Sequence, residues 1–234
     1  DIDFDEKLFD SALTILRVEV MELINDLYRI EDDIVLFSVP HQLELIAYNA
    51  AIRRKGSTKT IKIQIDLNLL PKISFNADDD PELPDQSFPA KFYKDRFSYK
   101  GISKVSQLFS DRNLYALSIL NHALSQLDAK SKKYFELCLT NTLLHVSKLK
   151  SERVRPLGVN NYWIPDDYIE ENVWWRFEDR CKQFALAKRT IADTFASDSQ
   201  VTGTNHVVEI GDATKLSRLE DNTIDYILTD PPYG

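Results

Sequence analysis

Two stretches near the end of this 234-residue chain carry its clearest structural signal: Asn205-His-Val-Val-Glu-Ile-Gly-Asp-Ala-Thr-Lys-Leu216 and Asp221-Asn-Thr-Ile-Asp-Tyr-Ile-Leu-Thr-Asp-Pro-Pro-Tyr-Gly234. In each, an apolar run leads directly into a polar turn, at Gly211-Asp212 in the first and at Asp230-Pro231-Pro232-Tyr233 in the second. Such runs predict short buried strands. With a short helical connection between them, they predict a piece of a doubly wound sheet, in which ligands bind at the carboxyl ends of the strands. We therefore expect a functional site at the two polar turns.

The second turn resembles the catalytic motif of the amino-group DNA methyltransferases, which methylate N6 of adenine or N4 of cytosine. The resemblance implies that Asp230 and the carbonyl of Pro231 accept hydrogen bonds from the target amine, so that its lone pair becomes available to a methyl donor. It also implies that Pro231 and Pro232 hold the loop rigid and that Tyr233 stacks on a base taken out of the duplex. The expected catalytic residues are Asp230, Pro231, Pro232 and Tyr233.

The first turn resembles the part of the same family that contacts the adenine ring of S-adenosyl-L-methionine. Gly211, Asp212 and Ala213 match that contact residue by residue. The resemblance therefore implies S-adenosyl-L-methionine as the cofactor, with Asp212, Ala213 and Asp230 as cofactor-binding residues. The chain departs from the family in its glycines, because its six glycines never come close enough to form the Phe-x-Gly-x-Gly loop that holds the methionine half. Since the chain starts at Asp1 and ends on the motif, we expect a fragment of a longer methyltransferase.

The composition describes a folded protein with no membrane span. Hydrophobic residues make up 43% of the chain, enough for a sizeable core, and no run of about 18 apolar residues exists. Cys138 and Cys181 have no CxxC partner, so the sequence supports neither a disulfide framework nor a zinc site. The histidines stand far apart, and we expect His122 and His145 to be helix-face residues rather than metal ligands. A reducing, cytoplasmic location fits this cysteine usage.

The net charge of -8 hides a basic segment that points to DNA. Between Lys91 and Arg155 we count 13 Lys and Arg against 5 Asp and Glu, a local balance of +8. Such asymmetry indicates a polyanion-binding face, although the same charges could pair with acidic neighbours inside the fold. Within it, Phe88 to Gly101 mixes aromatic with basic residues, which suits either a platform for unpaired bases or packing under a helical domain. The candidate DNA-binding residues are Lys91, Lys94, Arg96, Lys100, Lys130, Lys132 and Lys133.

Residue periodicity predicts an α+β chain in four regions. Residues 1–70 form a helix/strand region, with helices over 3–30 and 41–55 and strands over 34–39 and 61–65. The proline-rich residues 71–89 form a linker loop, and the locally basic residues 90–196 are helical, with helices over 111–128, 131–149 and 165–195. Residues 205–234 form a partial methyltransferase catalytic core. The fold class predicted is therefore a mostly helical region followed by a truncated Rossmann-like α/β core.

These observations together predict part of an S-adenosyl-L-methionine-dependent DNA adenine-N6 methyltransferase of a modification or restriction-modification system. Its partners would be DNA and the remainder of the methyltransferase chain. Aspartate at position 230 favours adenine, because the cytosine-N4 enzymes of the family more often have serine there. Three alternatives remain: an enzyme acting on N4 of cytosine or another amine, a catalytically inactive DNA-binding or target-recognition module, and a helical scaffold for protein partners.

Overall fold

The computed structural model describes residues 4–41, 47–54, 57, 59–83, 85–89, 101–151, 164–197, 220 and 223–226. Over these residues the protein has four α-helices and a five-stranded antiparallel sheet, so the α+β class is confirmed. The helices are α1 (Glu6–Asp26), α2 (Asp111–Ser125), α3 (Ala129–Val146) and α4 (Val173–Ser197). The strands are β1 (Arg29–Glu31), β2 (Ile34–His41), β3 (Ala47–Arg54), β4 (Ile61–Asp66) and β5 (Tyr168–Glu171). The part of the chain that is described contains no parallel sheet of the Rossmann type.

The first helix forms where the sequence predicts it but ends earlier. Asp5 caps α1, since its Oδ1 accepts a hydrogen bond from the backbone N–H of Leu8 at 3.0 Å. The buried face of the helix includes Phe9, Leu16 and Ile24, at the spacing of an amphipathic helix. The helix ends at Asp26, and two residues later the side chain of Tyr28 is almost completely buried in the core before β1 begins.

β2 is the central strand of the sheet, and all of its neighbours are antiparallel. It pairs with β3 along one edge, and along the other edge with β1 and then with β5. β3 pairs with β4 from Ala47 opposite Asp66 to Ile52 opposite Ile61. The strands predicted over 34–39 and 61–65 are therefore confirmed as β2 and β4.

The helix predicted over residues 41–55 is wrong, because residues 47–54 form β3. The apolar spacing of this segment fits a helix locally, but its backbone is hydrogen-bonded to β2 on one side and to β4 on the other. Two ladders of tertiary hydrogen bonds outweigh the weak preference of a short segment for helix. The ladder between β2 and β3 contains a bulge, since Leu36 lies opposite Ile52 whereas Ser38 lies opposite Ala51. Phe37 is the extra residue of that bulge, a feature that re-aims a side chain.

Helices α2 and α3 form the predicted antiparallel hairpin. Ser110 caps α2 by accepting from the N–H of Asn113, and Asp128 caps α3 by accepting from the N–H groups of Lys130 and Ser131. The side-chain amide of Asn113 donates to the carbonyl of Val146 at 2.7 Å, which places the start of α2 beside the end of α3. The two predicted helices are thus confirmed, although each ends about three residues earlier than the sequence suggests.

The last helix begins later than predicted. We expected a helix from Pro165, but residues 168–171 form β5, which pairs with Ser38 to His41 of β2, and α4 begins only at Val173. Asn172 lies between these two elements, and its Oδ1 accepts from the N–H of Trp175 at 3.2 Å. Residues 168–171 form a strand because the backbone of β2 is available for pairing along that edge.

One large hydrophobic core joins α1, β2, β3, β4, α2, α3 and α4. Aromatic rings fill the space between the helices; for example, the rings of Phe9 and Phe135 stack with centroids 4.7 Å apart. Trp174 is completely buried, as expected for a core residue. The core contains residues from both sides of the 71–89 segment, such as Ile52 and Leu120. The region boundaries drawn from the sequence remain predictions. No helix in the described residues is long and apolar enough to cross a membrane.

Candidate functional site

The residues of the methyltransferase-like motif lie outside the part of the chain that the structure describes. This holds for all the expected catalytic and cofactor-binding residues, which are Asp212, Ala213, Asp230, Pro231, Pro232 and Tyr233. Their assigned roles therefore remain predictions. The same holds for the candidate DNA-binding residues Lys91, Lys94, Arg96 and Lys100.

Residues 223–226 lie just before the motif, and they correct one expectation. We predicted that Ile224 and Tyr226 belong to a buried strand, but they are 49% and 79% exposed and residues 223–226 are not in a strand. A strand requires a neighbouring strand to complete its hydrogen bonds and a layer to cover its apolar side chains. Within the described residues, this segment is not part of the sheet.

The remaining candidate DNA-binding residues lie together at the start of α3. Lys130, Lys132 and Lys133 occupy its first turns, and Lys133 is exposed. Lys132 lies 3.8 Å from Glu136 with about two-fifths of its side chain exposed, so this pair is weak. The three lysines lie at the positive end of the helix dipole, although the carboxylate of Asp128 caps the N–H groups of Lys130 and Ser131 and offsets part of this positive charge.

Much of the predicted basic segment is paired with acids inside the fold. Lys148 is largely buried, which lowers its pKa, and its Nζ donates to the carbonyl of Gln107 at 3.1 Å. Three other basic residues form ion pairs: Lys104 with Asp78 and Asp85, Arg112 with Glu170, and Lys150 with Glu171. Because these basic residues are already paired with acids, the DNA-binding hypothesis depends, within the described residues, on the lysines of α3.

A buried carboxylate, Glu170 of β5, joins several elements of the fold. Its side chain is 3% exposed, and it accepts hydrogen bonds from Arg112 Nε at 2.9 Å and from Ser110 Oγ at 3.1 Å. Its other oxygen lies 2.6 Å from His41 Nε2. Burial raises the pKa of Glu170, but the hydrogen bond with His41 and the charge of Arg112 outweigh burial, so the net pKa is lowered.

The geometry of this network around Glu170 indicates that it stabilises the fold and does not form a catalytic site. Arg112 also donates to the backbone carbonyl of Leu27, and the imidazole of His41 stacks on Tyr168 with centroids 4.6 Å apart. Ser110 bonds to the carboxylate rather than to the imidazole, so the three side chains do not form a nucleophile with its base. No local sequence pattern predicts this cluster, because its members are distant in the chain.

A second polar region contains a cleft of about 410 Å³ between α1, the β2–β3 strands and the start of α4. Arg53 lies in this cleft, with its guanidinium carbon 4.6 Å from the centre of the Phe37 ring and 4.9 Å from that of Trp175. Arg53 Nε donates to Thr60 Oγ1 at 3.0 Å, which fixes the plane of the group. Partial burial lowers the pKa of Arg53.

The cysteines and the two histidines expected on helices lie within α2, α3 and α4. Cys138 and Cys181 are free and buried, and burial together with a hydrogen bond to Cys138 raises the pKa of the Cys181 thiol. His122 and His145 lie in the last turns of α2 and α3. The described residues contain no group of three or more potential metal ligands.

Comparison of the chain with protein families, curated proteins and solved structures finds no match.

Proposed function

We propose that this chain is part of an S-adenosyl-L-methionine-dependent DNA methyltransferase that acts on N6 of adenine. The observation that carries the proposal is the sequence Asp230-Pro231-Pro232-Tyr233 directly after an apolar run, with Gly211-Asp212-Ala213 upstream. A truncated Rossmann-like core over residues 205–234 belongs to the same proposal. In it, the two polar turns would lie side by side and form one site.

The chemistry of an exocyclic amine explains why these residue types would be needed. The lone pair of the adenine N6 is delocalised into the ring, so the amine is a poor nucleophile. Two acceptors, the carboxylate of Asp230 and the carbonyl of Pro231, would hold its hydrogens and direct the lone pair towards the methyl donor. The bound S-adenosyl-L-methionine supplies the activated methyl group, with Asp212 and Ala213 proposed to contact its adenine ring. Tyr233 would hold the extruded base through its ring face.

The test uses the complete methyltransferase that contains this chain, with tritiated cofactor and an adenine-containing duplex. Asp230→Ala removes an acceptor that is most useful as the amine becomes positive, so we expect turnover to fall by about 10² or more with DNA affinity almost unchanged. Tyr233→Ala should weaken placement of the base by about 1–3 kcal/mol, whereas Tyr233→Phe should have a much smaller effect because the ring face remains. Methylation at the wild-type rate by Asp230→Ala would remove this loop from the mechanism.

DNA is the proposed macromolecular partner, and the lysines at the start of α3 support this part of the proposal. If about four phosphates are neutralised, the logarithm of the affinity for duplex DNA should fall with the logarithm of salt concentration with a slope near -3 to -4. Replacing Lys130, Lys132 and Lys133 together by alanine should reduce that slope. Lys62→Ala, at an exposed position of β4, serves as the control and should leave the slope unchanged. A slope that the triple change does not alter would place DNA elsewhere on the molecule.

A further inference from the structure

The cleft beside α4 contains an arginine that forms no ion pair within the described residues. Arg53 has no carboxylate within 4.0 Å there, and its Nη groups donate to no described acceptor. The sequence Arg53-Arg54-Lys55-Gly56 fits either the end of a helix or a phosphate contact. Since residues 47–54 form a strand, the first of these explanations no longer applies to Arg53 and Arg54.

The other charged groups of the cleft are already paired. Glu22 lies 2.9 Å from Arg29, and Glu178 lies 2.7 Å from Lys182 and 2.8 Å from Arg17. The acids of the cleft are therefore paired with neighbouring bases, and Arg53 experiences only longer-range attraction from Glu178 and Asp179. Arg54 adds further positive potential, because its nearest acid, Asp33, is 3.6 Å away and both of their side chains are more than half exposed.

The guanidinium of Arg53 is also fixed in position before any ligand arrives. The rings of Phe37 and Trp175 stack with centroids 5.7 Å apart, and the guanidinium carbon of Arg53 lies within 5 Å of both centroids. The bulge at Phe37 and the hydrogen bond from the N–H of Asn172 to the Phe37 carbonyl, at 2.9 Å, hold this ring against α4. An arginine restrained in this way loses little conformational entropy when it binds an oxyanion through both Nη groups.

A further donor lines the same cleft. Ser57, which is exposed, adds a hydroxyl group to the lining. The indole of Trp174 also lines the cleft, but its Nε1 is closed off from solvent, so this residue forms part of the wall and does not donate to a ligand. A fork of N–H groups with a separate hydroxyl donor suits a tetrahedral oxyanion with several acceptor oxygens better than it suits a flat carboxylate.

We propose that this cleft is a binding site for a phosphate group carried by a nucleotide, either free or within single-stranded DNA, and that Arg53 is its anchor. The cleft volume of about 410 Å³ is within the range of small-ligand sites. The site consists of residues other than those of the Asp230–Tyr233 motif, so it does not depend on the proposed methyltransferase activity. It would make the α+β region a nucleotide-recognising body in its own right.

The test measures binding to the full 234-residue chain, with calorimetry for dAMP and for inorganic phosphate and fluorescence anisotropy for a labelled single-stranded oligonucleotide. Deoxyadenosine, which lacks the phosphate, is the matched control ligand and should not bind. Arg53→Gln should weaken dAMP binding by on the order of tenfold or more, because a bidentate charged contact is lost. Lys62→Gln, at an exposed position of β4 that does not line the cleft, should change it by less than about threefold.

The two possible sources of the phosphate give different results. An oligonucleotide that binds about a hundredfold or more tighter than dAMP identifies a polynucleotide, whereas similar affinities identify a free nucleotide. Arg53→Lys keeps the positive charge but loses the planar pair of Nη donors, so it should bind dAMP more weakly than wild type. If Arg53→Gln does not fold, the comparison of Arg53→Lys with wild type tests the role of Arg53. The proposal is overturned if none of the three phosphate ligands binds at millimolar concentration, or if deoxyadenosine binds as well as dAMP. It is also overturned if folded Arg53 variants bind like wild type.

Discussion

Replacing Arg112 by methionine should destabilise the fold, because it leaves the carboxylate of Glu170 buried without its cation. Their side chains are 11% and 3% exposed, so solvent cannot take over the role of the guanidinium. Breaking a buried ion pair by removing one partner costs about 3–5 kcal/mol. We expect the lower part of that range, about 3 kcal/mol, because His41 and Ser110 still contact the carboxylate. Such a loss is a large fraction of the 5–15 kcal/mol typical of a folded protein.

Urea unfolding followed by circular dichroism measures this effect. With a slope of about 2 kcal/mol/M, the midpoint of Arg112→Met should lie about 1.5 M below that of wild type. Arg54→Met is the matched control, because Arg54 and its partner Asp33 are 62% and 55% exposed and their pairing contributes at most about 0.5 kcal/mol. Combining Arg112→Met with Glu170→Met should recover at least half of the lost stability, since no buried charge then remains.

The pH dependence gives a second check on the same reasoning. The pKa of Glu170 is lowered in the folded protein, so its contribution to stability is present above the unfolded pKa of about 4.3 and is lost as pH falls through the folded value. Without Arg112, burial dominates and the pKa of Glu170 should rise, so the destabilisation of Arg112→Met should shrink as pH falls towards 4. The reasoning is refuted if Arg112→Met is as stable as Arg54→Met, or if the double variant is no more stable than Arg112→Met alone.

Three further predictions follow from the site and from the buried groups. The isolated chain should bind S-adenosyl-L-methionine weakly or not at all, because it contains no glycine-rich loop for the methionine half; a calorimetric dissociation constant of about 10 μM or tighter would contradict this. Burial lowers the pKa of His145, so wild-type stability should decrease as pH falls below about 6.5, and His145→Gln should flatten this dependence in urea titrations. The buried thiols of Cys138 and Cys181 should react with a thiol reagent only after unfolding, and rapid labelling of native protein at pH 8 would show that α3 and α4 pack less tightly than the structure indicates.

The sequence by itself determined the elements whose cause is local. Apolar residues at helical spacing are sufficient to predict α1, α2 and α3, whereas the structure shows that their caps are Asp5, Ser110 and Asp128. The alternating isoleucines of β4 and the compact apolar run of β2 are likewise sufficient to predict strands, because each pattern lies within one short window. The motif at Asp230 is also a local pattern, which is why the sequence alone suggests a function for it.

Only the tertiary structure decided the strands and sites that depend on distant partners. β3 and β5 are strands because β2 lies beside both of them, and their own periodicity resembles that of helices. Glu170 meets His41 across 129 positions and Arg112 across 58, and Arg53 meets Trp175 through the packing of α4 on the sheet. A pattern in one window contains no information about such contacts, because their free energy arises from excluding water between segments that are brought together only by folding.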